Sequence, residues 1–281
     1  MSAPTQRNWQ SSQNTLELLR TRIAKIESRS PDLNLAVQAE AWRSGHAAMD
    51  AALGAIGFGA LHEIMPDRPA HLPSASVFAL GLIARLPRRG PLLWCVSSLT
   101  QNEHGALYAP GVAAFGIDPS RIVCVTVRHP KDLNFVLEEA ARLSSLAAII
   151  AEGPLPSFTA SRRLALLLAV SQVPMLFLPD GKAAQGSAAA TRLVVGPLAA
   201  AESVIVDPVS FEPRSVDPRA PGPPAFQVSL ARNRGGRPGL TFEMVFDHAN
   251  SSFAPYSRAS SDSVPDREFS ANHAPKWQRR A

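Results

Sequence analysis

No glycine occurs between Gly59 and Gly81, and no lysine between Lys25 and Lys131, although the stretch reads as strand, loop and helix. Ala60-Leu61-His62-Glu63-Ile64 is strand-like, Met65–Pro73 is a loop, and Ser76–Leu86 has helical character. In an ATPase a strand–loop–helix of this kind carries G-x-x-x-x-G-K-[ST]. Its backbone N–H groups wrap the phosphates and its lysine reaches them. Here Pro66, Pro69 and Pro73 remove three of the donors such a cradle needs. The chain is expected to keep the frame of a nucleotide-binding α/β unit without the loop that grips nucleotide.

The alternation continues along the first two-thirds of the chain. Strand-like runs lie at Pro91–Ser97, Ile122–Val127, Ala147–Ala151, Met175–Leu178 and Leu193–Val195, and helical stretches at 132–144 and 159–171. Strands alternating with helices predict a mostly parallel, twisted sheet flanked by helices. Phe226–Arg232 and Thr241–Phe246 flank Asn233–Gly239, where Gly235, Gly236 and Pro238 make a turn, so they predict an antiparallel hairpin closing the sheet edge. A short helix over Met49–Leu53 stops at Gly54.

Outside this core, Leu16, Leu19, Ile23 and Ile26 repeat at heptad spacing behind a capping-box-like Asn14 and Glu17. That narrow seam must bury itself against its own domain or against a partner. Residues 207–224 hold six prolines and read as a loop. Residues 249–281 are rich in Ser, Pro, Asn and Arg without periodicity and are expected to be a disordered tail. The expected division is an N-terminal helical segment at 1–46, an α/β domain at 47–248 and the tail at 249–281.

With 46% hydrophobic and 18% charged residues the chain has material for a large core. No apolar run reaches the ~18 residues of a membrane span. The N-terminus lacks the apolar stretch of a secretory signal. Cys95 and Cys124 lie in apolar strand-like runs and are expected to be buried, reduced thiols of a cytoplasmic protein. No Cys/His spacing suggests a metal site, and no G-x-S-x-G, H-E-x-x-H or C-x-x-C motif is present. The net charge of +5 rests almost wholly on arginine. This permits contact with phosphate backbones, but the arginine and alanine abundance reads more as the drift of a GC-rich genome.

Several strings resemble a known family. Met49-Asp50-Ala51-Ala52-Leu53-Gly54 followed by Ala60–Ile64 resembles the segment before the phosphate loop of RecA-type recombinases. Leu107 through Gly116-Ile117-Asp118, with the strand from Arg121, resembles the next RecA unit, and Phe226–Arg234 resembles a late RecA strand. The likeness spans roughly residues 47–247 and fails inside the phosphate loop. A narrower group fits better. Leu107–Gly111, Ser161–Leu164, Ser187–Arg192 and Asn233–Gly239 look like the corresponding strings of ImuA proteins, RecA-related members of damage-inducible mutagenesis cassettes. That resemblance implies partnership with an ImuB-like Y-family protein and an error-prone DnaE-type polymerase, in SOS-induced translesion synthesis. RecA itself and DNA are further partners it leaves open, with nucleoid association when DNA is damaged. The alternatives are a SulA-like inhibitor of cell division and an ATP-binding, DNA-dependent RecA-like ATPase.

Against that pattern, the surviving candidates for nucleotide or magnesium contact are few. Glu103 lies near the position of a water-activating glutamate, but needs a one-residue slip, and otherwise is a loop carboxylate. Glu152 follows the strand Ala147–Ala151 where RecA proteins carry a magnesium-linked aspartate; the alternative is a cap or an ion-pair partner. Arg68 can supply charge without the cradle. The expectation is therefore no catalytic residue, no metal and no cofactor, with weak ATP and magnesium binding left open. For partner or DNA contact the candidates are Leu16, Leu19, Ile23 and Ile26, together with Arg162, Arg163, Arg232, Arg234 and Arg237, whose fork-shaped donors suit phosphate or carboxylate.

Overall fold

The computed structural model describes residues 41–181, 186–199 and 222–256, and the backbone of 204–206 and 213–215. The N-terminal seam of Leu16, Leu19, Ile23 and Ile26 lies outside the described residues, as does the tail from residue 257.

The strands are β1 (Leu61–Pro66), β2 (Leu92–Ser97), β3 (Ile122–Val127), β4 (Ala148–Gly153), β5 (Met175–Pro179), β6 (Thr191–Pro197), β9 (Ala225–Asn233), β10 (Thr241–Asp247) and β11 (Ser252–Pro255). They form one sheet in the order β11-β10-β9-β6-β1-β5-β4-β2-β3. From β3 to β6 every pairing is parallel, with registers such as Leu61↔Met175 and Ile150↔Leu176. From β6 outward the pairings through β9, β10 and β11 are antiparallel. The expected mostly parallel sheet with a closing antiparallel hairpin is what forms.

The helices are α1 (Ala47–Leu53), α2 (Leu72–Ala84), α3 (Ser98–His104), α4 (Ala109–Ala114), α5 (Pro130–Ala140) and α6 (Phe158–Ser171). They cover the sheet on both faces. Strands β1, β2, β4 and β5 are buried at every position, which is why their sequences run apolar without alternation. One face packs α2 against Ile64, Trp94, Ile150, Leu176 and Val195 and continues into the aromatic residues of β9–β11. The other packs α5 and α6, through Leu133, Leu137, Leu164 and Leu168, against Leu93, Ile149 and Phe177.

Three expectations about the edges change. The domain begins before residue 47: Trp42 is fully buried, its indole N–H donating to the Leu82 carbonyl of α2 at 2.8 Å. Asp50 ties the same segment down by accepting from the Ser44 N–H (2.8 Å), the Ser44 hydroxyl (2.7 Å) and the Gly45 N–H (3.0 Å). At the other end, residues 249–256 are not tail. They complete a turn and strand β11, whose Phe253 is 1% exposed. Between residues 207 and 224, β8 (Pro213–Ser215) pairs antiparallel with β7 (Val204–Val206) where a plain loop was expected.

Cys124 also departs from expectation. Cys95 on β2 is buried, and burial pushes its thiol up to about 11. Cys124 is exposed on β3, the edge strand of the sheet among the described residues.

Candidate functional site: the crevice at the strand ends

In an open α/β sheet, ligands enter the crevice beyond the carboxyl ends of the parallel strands. Here that edge carries the β1–α2 loop, Glu152 at the end of β4, and helices α3 and α4 following β2.

The β1–α2 loop is closed upon itself. Pro66, Pro69 and Pro73 bring no N–H. The Asp67 N–H donates to the Val195 carbonyl at 3.0 Å, and the His71 N–H donates to the Arg68 carbonyl at 2.9 Å within a tight turn over Pro69–His71. The Leu72 N–H donates to the Pro69 carbonyl. Six of the positions a cradle would draw on are thus prolines or already bonded. The loop also supplies its own negative charge. The Asp67 carboxylate lies 2.6 Å from His71 Nδ1 and packs against β6, where a Cβ on Gly196 would come within 2.7 Å of Asp67 Oδ2. Arg68 is exposed.

Glu152 points to the α2 face of the sheet. It is 8% exposed and accepts from the Ser76 hydroxyl at 2.7 Å. Burial pushes its carboxyl above the usual carboxylate range. Ser76, the nearby His104 and the Trp94 indole pull it partly back. Position 76 opens the helical stretch read from sequence, but nothing in the sequence pairs it with Glu152. The pairing exists because α2 lies across the ends of β1 and β4. Glu103 does not join this group: its side chain is 70% exposed, and its carboxylate is 3.9 Å from His104 Nε2.

Beside Glu152 a cavity of about 570 Å³ opens between α2, strands β2–β4 and the α3–α4 segment. Val77, Leu80, Trp94, Val112 and Phe115 form its apolar walls, and Ser76, Gln101, His104, Thr126 and Glu152 its polar end. Sequence reasoning missed this cavity because α3 and α4 are short and carry weak periodicity. One usable signal was Ser97, whose side chain accepts from the Thr100 N–H at 3.1 Å and starts α3 as an N-cap.

The arginine candidates divide. Arg232 donates to the Ser187 carbonyl at 2.5 Å and Arg234 to the Ala188 carbonyl at 2.8 Å, so both hold the chain's own 187–190 strap. Arg192 joins them by reaching Ser187 Oγ at 3.3 Å while pairing with the buried Glu63 at 2.5 Å. Arg163 meets Glu138 of α5 at 3.1 Å, an exposed arginine on a half-buried carboxylate. Arg162 and Arg237 are exposed. The hairpin arginines are therefore not one free cluster. Among the described residues no group of three or more His, Cys, Asp or Glu is placed to hold a metal ion. No described helix is long and apolar enough to cross a membrane.

A scan against models of protein families finds no match. The chain is 31% identical over 195 residues to Protein ImuA of Caulobacter vibrioides (strain NA1000 / CB15N), covering 66% of this chain and 75% of that protein. Protein ImuA of Caulobacter vibrioides strain ATCC 19089 / CIP 103742 / CB 15 matches with the same identity and coverage. Among solved structures, the RadB recombinase superposes with a TM-score of 0.50 at 12% identity, covering 77% of this chain and 100% of that one. At that identity the structural likeness speaks for the fold alone, which is RecA-like. A RecA-like sheet, and a sequence this similar to ImuA over three-quarters of ImuA's length, place the chain in the ImuA family.

Proposed function

We propose that the chain is a RecA-like accessory factor of damage-induced mutagenesis that holds partners without hydrolysing nucleotide. One observation carries the non-catalytic part. In the loop that would cradle phosphates three positions are prolines, the Asp67, His71 and Leu72 N–H groups are spent within the chain, and no lysine is present. Phosphoryl transfer depends on positive charge positioned at the phosphates by such a cradle, and the exposed Arg68 supplies charge without the cradle. Glu152 acts as a buried structural carboxylate paired with Ser76 and not as a magnesium ligand.

The partner side of the reading rests on family membership. An ImuB-like Y-family protein and an error-prone DnaE-type polymerase are the partners, and the N-terminal seam of Leu16, Leu19, Ile23 and Ile26 is the surface offered to the first of them. The exposed Arg162 and Arg237 are the surface open to RecA or DNA.

The test is a pull-down of the purified chain against an ImuB-like partner, with and without ATP. Capture that ignores ATP, and that is lost on Leu16→Asp while the melting temperature stays unchanged, is the expected result. Capture that requires ATP, or ATP turnover lost on Glu152→Gln, would overturn the non-catalytic reading.

A further inference from the structure

The cavity beside Glu152 has a chemistry that the partner-holding function leaves unused. Its volume of about 570 Å³ exceeds what one side chain fills and falls in the range of small-ligand sites, roughly 300–1,000 Å³. Its walls are aliphatic and aromatic. Its polar residues include a single carboxylate, Glu152. The Thr126 hydroxyl already donates to Gln101 Oε1 at 2.9 Å, and the Ser76 hydroxyl already donates to Glu152 Oε1 at 2.7 Å. The Gln101 amide accepts through its oxygen and keeps its N–H groups for a ligand, while Glu152 keeps acceptor capacity, since an ionised carboxylate offers about four lone-pair sites. Among the described residues no lysine or arginine lines the cavity. The one nearby group able to carry positive charge is His104. Ser76, the Trp94 indole and His104 meet the Glu152 carboxylate, and burial still outweighs them, so a further positive or donating group there is favourable.

We propose that this cavity binds an organic cation, a protonated amine or amidine on a compact apolar body, with the charge against Glu152 and the body among Val77, Leu80, Trp94 and Phe115. The inference stands apart from partner capture, because it involves neither the N-terminal seam nor the exposed arginines. The same chemistry has two sources, a free amine or a basic side chain beside an apolar one on a partner peptide.

The experiment is calorimetric titration of the full chain with tryptamine and with indole-3-propionate, which share a ring and differ in the sign of their charge. Tryptamine is expected to bind saturably and about ten-fold more tightly than the acid, the size of one charge-assisted hydrogen bond. Glu152→Gln, which keeps an acceptor for Ser76, should erase that preference. Val77→Trp, which fills the cavity from a half-buried position, should abolish binding of both probes with the melting temperature retained. Blocked acetyl-Lys-Trp-amide then assigns the source: competition with tryptamine supports the site as a side-chain pocket, and failure to compete supports it as a free-amine site. Equal affinity for the two indoles, a preference that survives Glu152→Gln, or no saturable binding of either probe at millimolar concentration would each overturn the proposal.

Discussion

The ring of Phe253 lies where a Cβ on Gly81 would have to be, with Phe246 Cδ2 only 2.9 Å from the same point. Gly81 sits inside the last turn of α2, where glycine weakens a helix by about 1 kcal/mol relative to alanine. The close approach explains its presence. It lets the last strand of the sheet lay an aromatic ring directly on the helix, where Phe253 packs 4.9 Å from the Phe78 ring and 5.3 Å from the Phe246 ring.

Gly81→Ala is therefore expected to destabilise the chain in spite of alanine's better helix propensity. The added methyl meets two rings that are themselves enclosed, and overpacking of this kind costs about 1–3 kcal/mol. Phe253→Ala removes the ring and should cost about 3–5 kcal/mol. Urea denaturation measures both. A Gly81→Ala variant more stable than the parent would show that the helix and β11 do not meet as described.

The pair of Glu63 and Arg192 offers a second test. Glu63 is 1% exposed, and its Oε1 is a buried atom with no hydrogen-bond partner among the described residues, so Arg192 is its principal compensation. Arg192→Met strands a buried charge, and the expected loss is about 3–5 kcal/mol. Adding Glu63→Gln to that variant should restore most of the loss. If the single variant melts with the parent, the pair contributes nothing.

Stability should also depend on Glu152 through pH. Burial raises its carboxyl in the folded chain, so between its ordinary range and that raised value the folded state holds more protons than the unfolded one. Stability contributed by this group is present at low pH and is lost as pH rises through the folded value. Glu152→Gln should melt higher than the parent at pH 7, and the advantage should shrink toward pH 4. An advantage that grows on acidification would reverse the assignment.

The 187–190 strap is held by Arg232 and Arg234 through backbone carbonyls. Arg234→Ala should speed amide hydrogen exchange at Ala188 and Ala190, which donate to Ser161 Oγ (3.1 Å) and the Leu61 carbonyl (2.8 Å). The cost in global stability is expected to be about 1 kcal/mol, the net worth of one hydrogen bond. Unchanged exchange at both amides would return Arg234 to the pool of free cations.

Local chemistry in the sequence was enough to determine most strands of the main sheet, its parallel majority and the loss of the phosphate loop. Apolar runs such as Leu92–Ser97 and Ala148–Gly153 announce strands buried on both faces, and prolines at 66, 69 and 73 remove N–H groups wherever the chain goes. Tertiary structure alone decided the rest. Ser252–Pro255 reads as tail, because its composition is polar and its one large apolar side chain has no local partner. It becomes a strand only because Gly81, far away in sequence, leaves a place for Phe253. Cys124 has the same apolar neighbours as a core residue and is exposed on β3, the edge strand of the sheet among the described residues. Arg232 and Arg234 look like free cations beside a glycine turn until the strap with its two carbonyls folds across them. Propensity and patterning act within a few residues, whereas burial, pairing and the spending of a donor depend on what the fold brings opposite.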